Sequence, residues 1–214
     1  NKPMHPLKVK GGNVMLDPNR YGEFIKSLVH VFRNIMDHGI ESTEERIEAG
    51  KDRLGTVECR VEVDQDQINL IITDDGTGID ITKIKEKAIQ RGMYSKETIE
   101  EIPDDKLVNL IFEDQFSTKE EVSGLSGRGI GLSAVKRKVE KINGDIEVKT
   151  ASGQGTEFKF ILPAEAMISN QQPPANLEVI STLLARVKEY LIEDLNLELD
   201  TYDTYKESEN SKLS

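Results

Sequence analysis

A chain of 214 residues with 36% apolar content is long enough to bury one substantial core and carry a short appendage. Its formal net charge of −11 argues against a nucleic-acid backbone or an anionic membrane as the main partner. The single cysteine, Cys59, excludes an intramolecular disulfide framework and a cysteine zinc cluster.

The charge is uneven, because eight acidic and two basic residues from Glu189 onward carry −6 of it. No signal peptide and no apolar run of transmembrane length is present, so the expectation is a cytoplasmic protein without direct membrane insertion. A first residue other than methionine suggests a piece of something longer.

Residues 1–18 read as extended, punctuated by Pro3, Pro6, Gly11, Gly12 and Pro18. Asp17, Pro18 and Asn19 make a helix start, and apolar spacing predicts a helix over about 19–38, stopped by Gly39. Residues 40–55 are charged and read as a loop or short helix. Val57, Cys59, Val61 and Val63 alternate as a strand, and Ile68–Thr73 returns after a polar turn, giving a hairpin. Helices are expected over 81–91 and 104–112, and a polar loop over 113–127. Leu132, Val135, Val139 and Ile142 then mark one helix face. Ile146–Val148 and Thr156–Leu162 alternate as two strands. The fold class expected is an α+β two-layer sandwich, a largely antiparallel mixed sheet with helices on one face.

Pro163 closes this block, so 1–163 reads as one domain. Residues 164–176 read as a linker. Leu177, Ile180, Leu184, Val187 and Leu191 make the stripe of an amphipathic helix over 177–198, whose ordinary fate is to pack back on the domain. The acidic end, 199–214, is expected to be disordered.

Three glycine motifs carry possible chemistry. Asp74-Asp-Gly-Thr-Gly78 follows a strand; its carboxylate can accept from an adenine amino group while Gly76 and Gly78 let a base lie on the backbone. An Asp-Gly turn is the plainer reading of that motif alone. Gly127-Arg-Gly-Ile-Gly131 precedes a helix, where backbone N–H groups and Arg128 suit an anion. It is neither a Walker P-loop nor a dinucleotide fingerprint. Gly153-Gln-Gly-Thr156 is an ordinary hairpin turn that also offers the Thr156 hydroxyl to the Asp74 end of a site.

The helix before them is apolar on one face yet carries His30, Asn34 and His38 at i, i+4 and i+8, with Asp37 beside them. One amide oxygen on such a stripe suits Mg²⁺, which keeps its waters and phosphate oxygens. For a lone histidine, a satisfied core group would be the better reading; four polar groups fit that reading less well.

The order of these parts resembles the N, G1, F, G2 and G3 boxes of the histidine-kinase/gyrase/Hsp90/MutL ATPase superfamily, from about Leu28 to Leu162. Within it, the chain looks most like the ATP-binding kinase domain of the chemotaxis histidine kinase CheA. The residues that carry this are His30-x-x-Arg33-Asn34-x-x-Asp37-His38-Gly39-Ile40-Glu41, then Glu44-Glu-Arg46, Ala49-Gly-Lys51 and Gly55-Thr56. Phe116-Ser-Thr-Lys119 and Ser126-Gly-Arg-Gly-Ile-Gly-Leu132 resemble the lid and G2 box.

The resemblance implies a Bergerat-type ATP-binding fold with ATP and Mg²⁺ as cofactors. Asn34 would ligate the metal with His30 near it and near the γ-phosphate, and Lys119 would join them in catalysis. Asp37, His38, Asp74, Gly76, Gly78, Ser117, Thr118, Gly127, Arg128, Gly129, Ile130, Gly131, Leu132 and Thr156 would form the nucleotide site. Residues 113–127 would be the lid, anchored by Phe112 and Phe116, for which i, i+4 core packing is an equally good reading. The gyrase, Hsp90 and MutL branches place a water-activating glutamate where His30 stands, and neither neighbour of His30 is acidic. Transfer to a positioned nucleophile is therefore favoured over hydrolysis.

Two departures qualify the likeness. CheA proteins carry a regulatory β-barrel after the kinase domain, whereas this chain has a linker and one helix. His5 sits in an extended stretch and the other two histidines belong to the site, so the phosphoacceptor histidine is expected upstream or on another protein. The implied function is transfer of the ATP γ-phosphate to that histidine, with a response regulator downstream and a possible dimer through regions outside this sequence. The alternatives are a nucleotide-binding interaction module without transfer activity and a gyrase/Hsp90-type conformational ATPase.

Overall fold

A computed structural model describes residues 2–11, 14–64, 66–114, 116, 131–164, 178–180 and 199–200. The central hairpin forms as the alternation predicts. Strand β3 (Val57–Asp64) pairs antiparallel with β4 (Gln67–Asp74) in one unbroken register from Val57–Asp74 to Asp64–Gln67. Strand β6 (Gly155–Pro163) lies on the other side of β4, and β5 (Asp145–Ala151) pairs with β6. Strand β1 (Leu7–Lys10) adds parallel to β3, giving a mixed sheet in the order β5-β6-β4-β3-β1.

One face of the sheet is covered. Cys59 and Val61 of β3, Ile68, Leu70 and Ile72 of β4, and Phe158, Phe160 and Leu162 of β6 point into the main core. Tyr21, Phe24 and Ile25 of helix α1 (Pro18–Ser27), Val31 and Phe32 of α2 (Val29–Asn34), and Val135 and Val139 of α7 (Leu132–Lys141) meet them there. Phe24 and Phe160 stack tilted with ring centroids 5.3 Å apart. The opposite face carries ion pairs such as Arg60–Glu62, Lys149–Glu157 and Lys159–Glu147, which suits a solvated surface. This is the α+β sandwich expected.

Asp17 caps α1 through a 2.9 Å bond from the Asn19 N–H, with Pro18 in the first turn. The single helix expected over 19–38 is, however, three pieces. Ser27 turns its hydroxyl back to the Phe24 carbonyl at 2.6 Å, and the chain breaks at Leu28 before α2 starts. The last turn, Ile35–Gly39, is a π turn closed by the Ile40 N–H on the Ile35 carbonyl at 2.8 Å.

The 40–55 segment contains α3 (Thr43–Glu48), started by a Ser42–Glu45 capping box. Helix α4 (Ile81–Gln90), helix α5 (Lys96–Glu100), helix α6 (Asp104–Leu107) and a 3₁₀ turn (Val108–Phe112) enclose a second small core of Ile84, Ala88, Ile99, Leu107, Leu110 and Phe116. Sequence periodicity finds α4 and the 104–112 region but not α5.

Past Pro163 the few described residues differ from expectation at two points, while Ile180 is helical as expected. Residues 178–179 are not helical: strand β7 (Glu178–Val179) pairs antiparallel with β2 (Met15–Leu16), and Ile180 is fully buried in the main core. Strand β8 (Leu199–Asp200) pairs parallel with β1, inside the stretch expected to be disordered. Both differ for the same reason: β1 and β2 leave edge hydrogen-bonding groups that a short extended segment satisfies. The rest of the expected linker, helix and tail lies outside the described residues.

Candidate functional site

Strand β4 ends at Asp74, in the sheet interior between β3 and β6. Its side chain is buried, 8% exposed, and its carboxylate accepts from the Gly76 N–H at 2.9 Å. Burial is the largest influence on this group. It outweighs the bonds from the Gly76 and Thr156 backbones and raises the pKa to about 6. A buried carboxylate at the end of a central strand is a costly group to keep for the fold alone.

The turn after Asp74 is wedged between two other segments. The Gly39 carbonyl accepts from the Thr77 N–H at 2.8 Å, so the end of the π turn is tied to it. A Cβ at Gly76 would lie 2.2 Å from the Gly39 carbonyl oxygen, so only glycine permits this approach. On the other side, the Thr77 carbonyl accepts from the Gly153 N–H at 2.7 Å, and a Cβ at Gly155 would lie 1.9 Å from the Asp74 carbonyl oxygen. Gly155 has φ +91°, which also reserves the position for glycine. Thr156 follows, buried, with its hydroxyl 3.3 Å from that of Thr150. The first and third glycine motifs and the end of the polar helix thus meet at one place, far apart though they are in sequence.

The polar helix approaches this junction as α2 and its π turn. Asn34 donates its amide nitrogen to the His30 carbonyl at 2.7 Å, which leaves the amide oxygen as the end directed away from the helix backbone. His30 and Asn34 are partly buried, whereas Asp37 and His38 are exposed. The stripe drawn through His30, Asn34 and His38 assumes a uniform α-helix. The π turn inserts one residue in that turn, so His38 is displaced around the axis from the i+8 position.

Behind the turn lies an ion-pair cluster in the segment read from sequence as a loop or short helix; Glu41, Arg46 and Lys51 figure there in the family resemblance, but not as a cluster. Arg46 is 1% exposed; its guanidinium pairs with Glu41 at 3.0 Å and with Asp75 at 2.8 Å. Lys51 donates to Glu41 and to the carbonyls of Asp75 and Gly76, the last at 2.7 Å. Burial pushes the Glu41 carboxyl up, but the hydrogen bond from Lys51, its own backbone and the two cations hold it below its ordinary value. The capping box at Ser42–Glu45 is the one local signal that this segment is ordered.

Of the second glycine motif, Gly131 and Leu132 are described. Gly131 precedes α7 without a side-chain cap, and Leu132 is buried. Ser117, Thr118, Lys119, Gly127, Arg128, Gly129 and Ile130 lie outside the described residues.

Residues 24–166 match the model of one protein family, described as "Histidine kinase-, DNA gyrase B-, and HSP90-like ATPase". The chain belongs to this ATPase family. Membership in this family implies ATP binding. Among curated relatives, the chain is 42% identical over 162 residues to the chemotaxis protein CheA of Borreliella burgdorferi, covering 76% of this chain and 18% of that protein. It is 39% identical over 160 residues to CheA of Halobacterium salinarum, covering 75% and 24%. With CheA of Bacillus subtilis it shares 37% over 183 residues, covering 86% and 26%. The chain therefore spans about a quarter or less of the length of these relatives.

The two phenylalanines fall in different cores. Phe112 packs in the main core and Phe116 in the second, so the pair does not form one i, i+4 stripe. The ammonium of Lys87 sits 4.6 Å from the centre of the Phe116 ring. Glu113 pairs with Lys136 at 2.9 Å and Asp114 with Arg137, fastening these two residues to α7. No helix among the described residues is long and apolar enough to cross a membrane.

Proposed function

We propose that this chain is the ATP-binding catalytic domain of a CheA-like protein-histidine kinase. It would pass the ATP γ-phosphoryl group to a histidine on another segment or protein in two-component signalling. The observation that carries the reading is the junction at Asp74: a buried acceptor, a side-chain-free approach at Gly76, and the end of the Asn34 helix in one place.

Asp74 accepts from the exocyclic amino group of adenine, and the Gly76–Gly78 backbone lies along the base. From there the triphosphate runs toward α2. Mg²⁺, when bound, would supply charge neutralisation, and the Asn34 amide oxygen, a hard donor, would suit it as a ligand. His30 stands one turn earlier, near the metal and γ-phosphate, with Lys119 as a further cation. Asp37 and His38, exposed at the end of the helix, border the nucleotide; Ser117, Thr118 and the Gly127–Gly131 stretch with Arg128 are proposed to enclose its phosphates. An acceptor imidazole nitrogen then attacks the γ-phosphorus in line as the bond to the ADP oxygen breaks. With His30 where hydrolytic relatives have glutamate, no carboxylate on α2 faces the γ-phosphate to activate water.

The test supplies the chain with labelled ATP and a candidate phosphoacceptor histidine domain, from the same protein or from another. Acid-labile, base-stable label on that domain is expected. ATP binding with sustained phosphate release and no labelled histidine would overturn the reading.

A further inference from the structure

The peptide unit between Asp75 and Gly76 faces two ways. Its N–H donates to the Asp74 carboxylate at 2.9 Å. Its carbonyl, in the same rigid plane, accepts from Lys51 at 2.9 Å and from Arg46 at 3.4 Å. The ammonium of Lys51 spends its three donors on the Asp75 carbonyl, the Gly76 carbonyl and Glu41. Glu41 in turn binds Arg46, whose other nitrogens hold the Asp75 carboxylate and the Asp52 carbonyl. The second oxygen of the Asp75 carboxylate accepts from the Thr56 N–H at 2.8 Å. Every donor in this set ends, directly or through Glu41, on the turn that carries Asp74 or on the segment beside it.

We infer that Lys51, supported by Glu41 and Arg46, is a positioning residue for base recognition: it fixes the tilt of the Asp75–Gly76 peptide, whose N–H aims the Asp74 carboxylate at the purine. The inference rests on the proposed role of Asp74. A cation on the carbonyl also polarises the peptide and strengthens its N–H donor. The chemistry selects adenine. An aimed carboxylate accepts from the amino group at C6 of adenine and repels the C6 oxygen of guanine. A carboxylate free to swing discriminates less.

Equilibrium binding of Mg-ATP and Mg-GTP to the 214-residue chain tests this, with each variant's fold checked by circular dichroism. Lys51→Met is expected to weaken ATP about tenfold or more, with GTP little changed, so that the ATP/GTP preference falls toward that of Asp74→Asn. Lys51→Arg, which keeps a cation on the carbonyls, is expected to retain more of the preference than Lys51→Met. Glu41→Gln, which keeps its shape and one acceptor, carries the test if Lys51→Met does not fold, and is expected to lower the preference partially. Equal weakening of both nucleotides, or an unchanged preference in the folded variants, overturns the inference. If Asp74→Asn itself leaves the preference intact, the base-reading role falls and the inference with it. If Asp74→Asn abolishes the preference while the Lys51 and Glu41 variants keep it, the inference alone falls.

Discussion

Gly39 and Thr77 are joined across the domain: the Gly39 carbonyl takes both the N–H of Thr77 at 2.8 Å and its hydroxyl at 3.3 Å. Helix ends normally spend such carbonyls on a left-handed cap or on water. Here Gly39 has no positive φ, and its carbonyl instead locks the Asn34 helix to the Asp74 turn. The metal end and the base end of the proposed site are therefore held at a fixed separation by backbone, which side-chain substitutions elsewhere leave in place.

Gly76→Ala should break that lock. The new methyl meets the Gly39 carbonyl carbon at 2.5 Å as well as its oxygen, and backbone cannot swing aside as a flexible side chain does. A loss of about 1–3 kcal/mol is expected from overpacking of this kind. Chemical denaturation measures the loss and nucleotide titration the accompanying fall in ATP affinity. A variant with unchanged stability and affinity would show that the two segments are not in contact in solution.

Asp74→Asn should separate stability from binding. The folded-state pKa, about 6, lies above the ordinary 3.8, so the native state binds this proton more tightly than the unfolded chain does. Ionising the buried acid therefore costs stability. The cost is absent below about pH 4, grows between pH 4 and 6, and is complete above that. At about 1.4 kcal/mol per unit it amounts to roughly 3 kcal/mol. The ligand-free variant, which keeps an acceptor for the Gly76 N–H, should be more stable than the wild type at pH 8 and closer to it at pH 4. ATP affinity should be lost in the variant and should fall in the wild type as pH drops through about 6. Melting curves that stay parallel from pH 4 to 8 would sink the assignment.

Asn34→Ala should remove the magnesium dependence of ATP binding. The Asn34 amide nitrogen is already used on the His30 carbonyl, so the oxygen is the part that the proposed site employs. Affinity measured with Mg²⁺ should fall to the value seen with chelator, while affinity measured in chelator stays near wild type. An equal loss in both conditions would mean that Asn34 only shapes the helix.

Much of this architecture is legible in the sequence because it follows from local periodicity. The alternation of Val57, Cys59 and Val61 fixes which face of β3 is buried, and the Leu132–Ile142 stripe does the same for α7. What escapes is decided by contacts distant in sequence. The π turn at Ile35–Gly39 adds one residue to one turn, a change too small to disturb the apolar pattern, and its end is held by Thr77. Helix α5 is five residues long, shorter than two helical turns, although Ser95 caps it through the Thr98 N–H. Arg46 is the clearest case. Arginine in a charged segment reads as solvated, yet Glu41 and Asp75, on either side of it in space, make it a buried ion. The order of the glycine motifs points to the family, while the Lys51 contacts behind them needed the third dimension.

The two phenylalanines near the start of the 113–127 stretch offer the last test, because they divide between two cores. Phe112, in the main core with Phe158 and Phe160, should behave as a global residue. Phe112→Ala is expected to lower overall stability by about 3–5 kcal/mol. Among the described residues, Phe116 packs in the small cluster of α4 to α6 and the 3₁₀ turn, under Lys87. Phe116→Ala should loosen that cluster as a unit, raising amide exchange at Ile84, Ala88 and Ile99 while the amides of Leu70 and Phe160 keep their wild-type protection. Exchange that rises equally in both cores would show that the domain opens as one piece and that the second cluster has no independence.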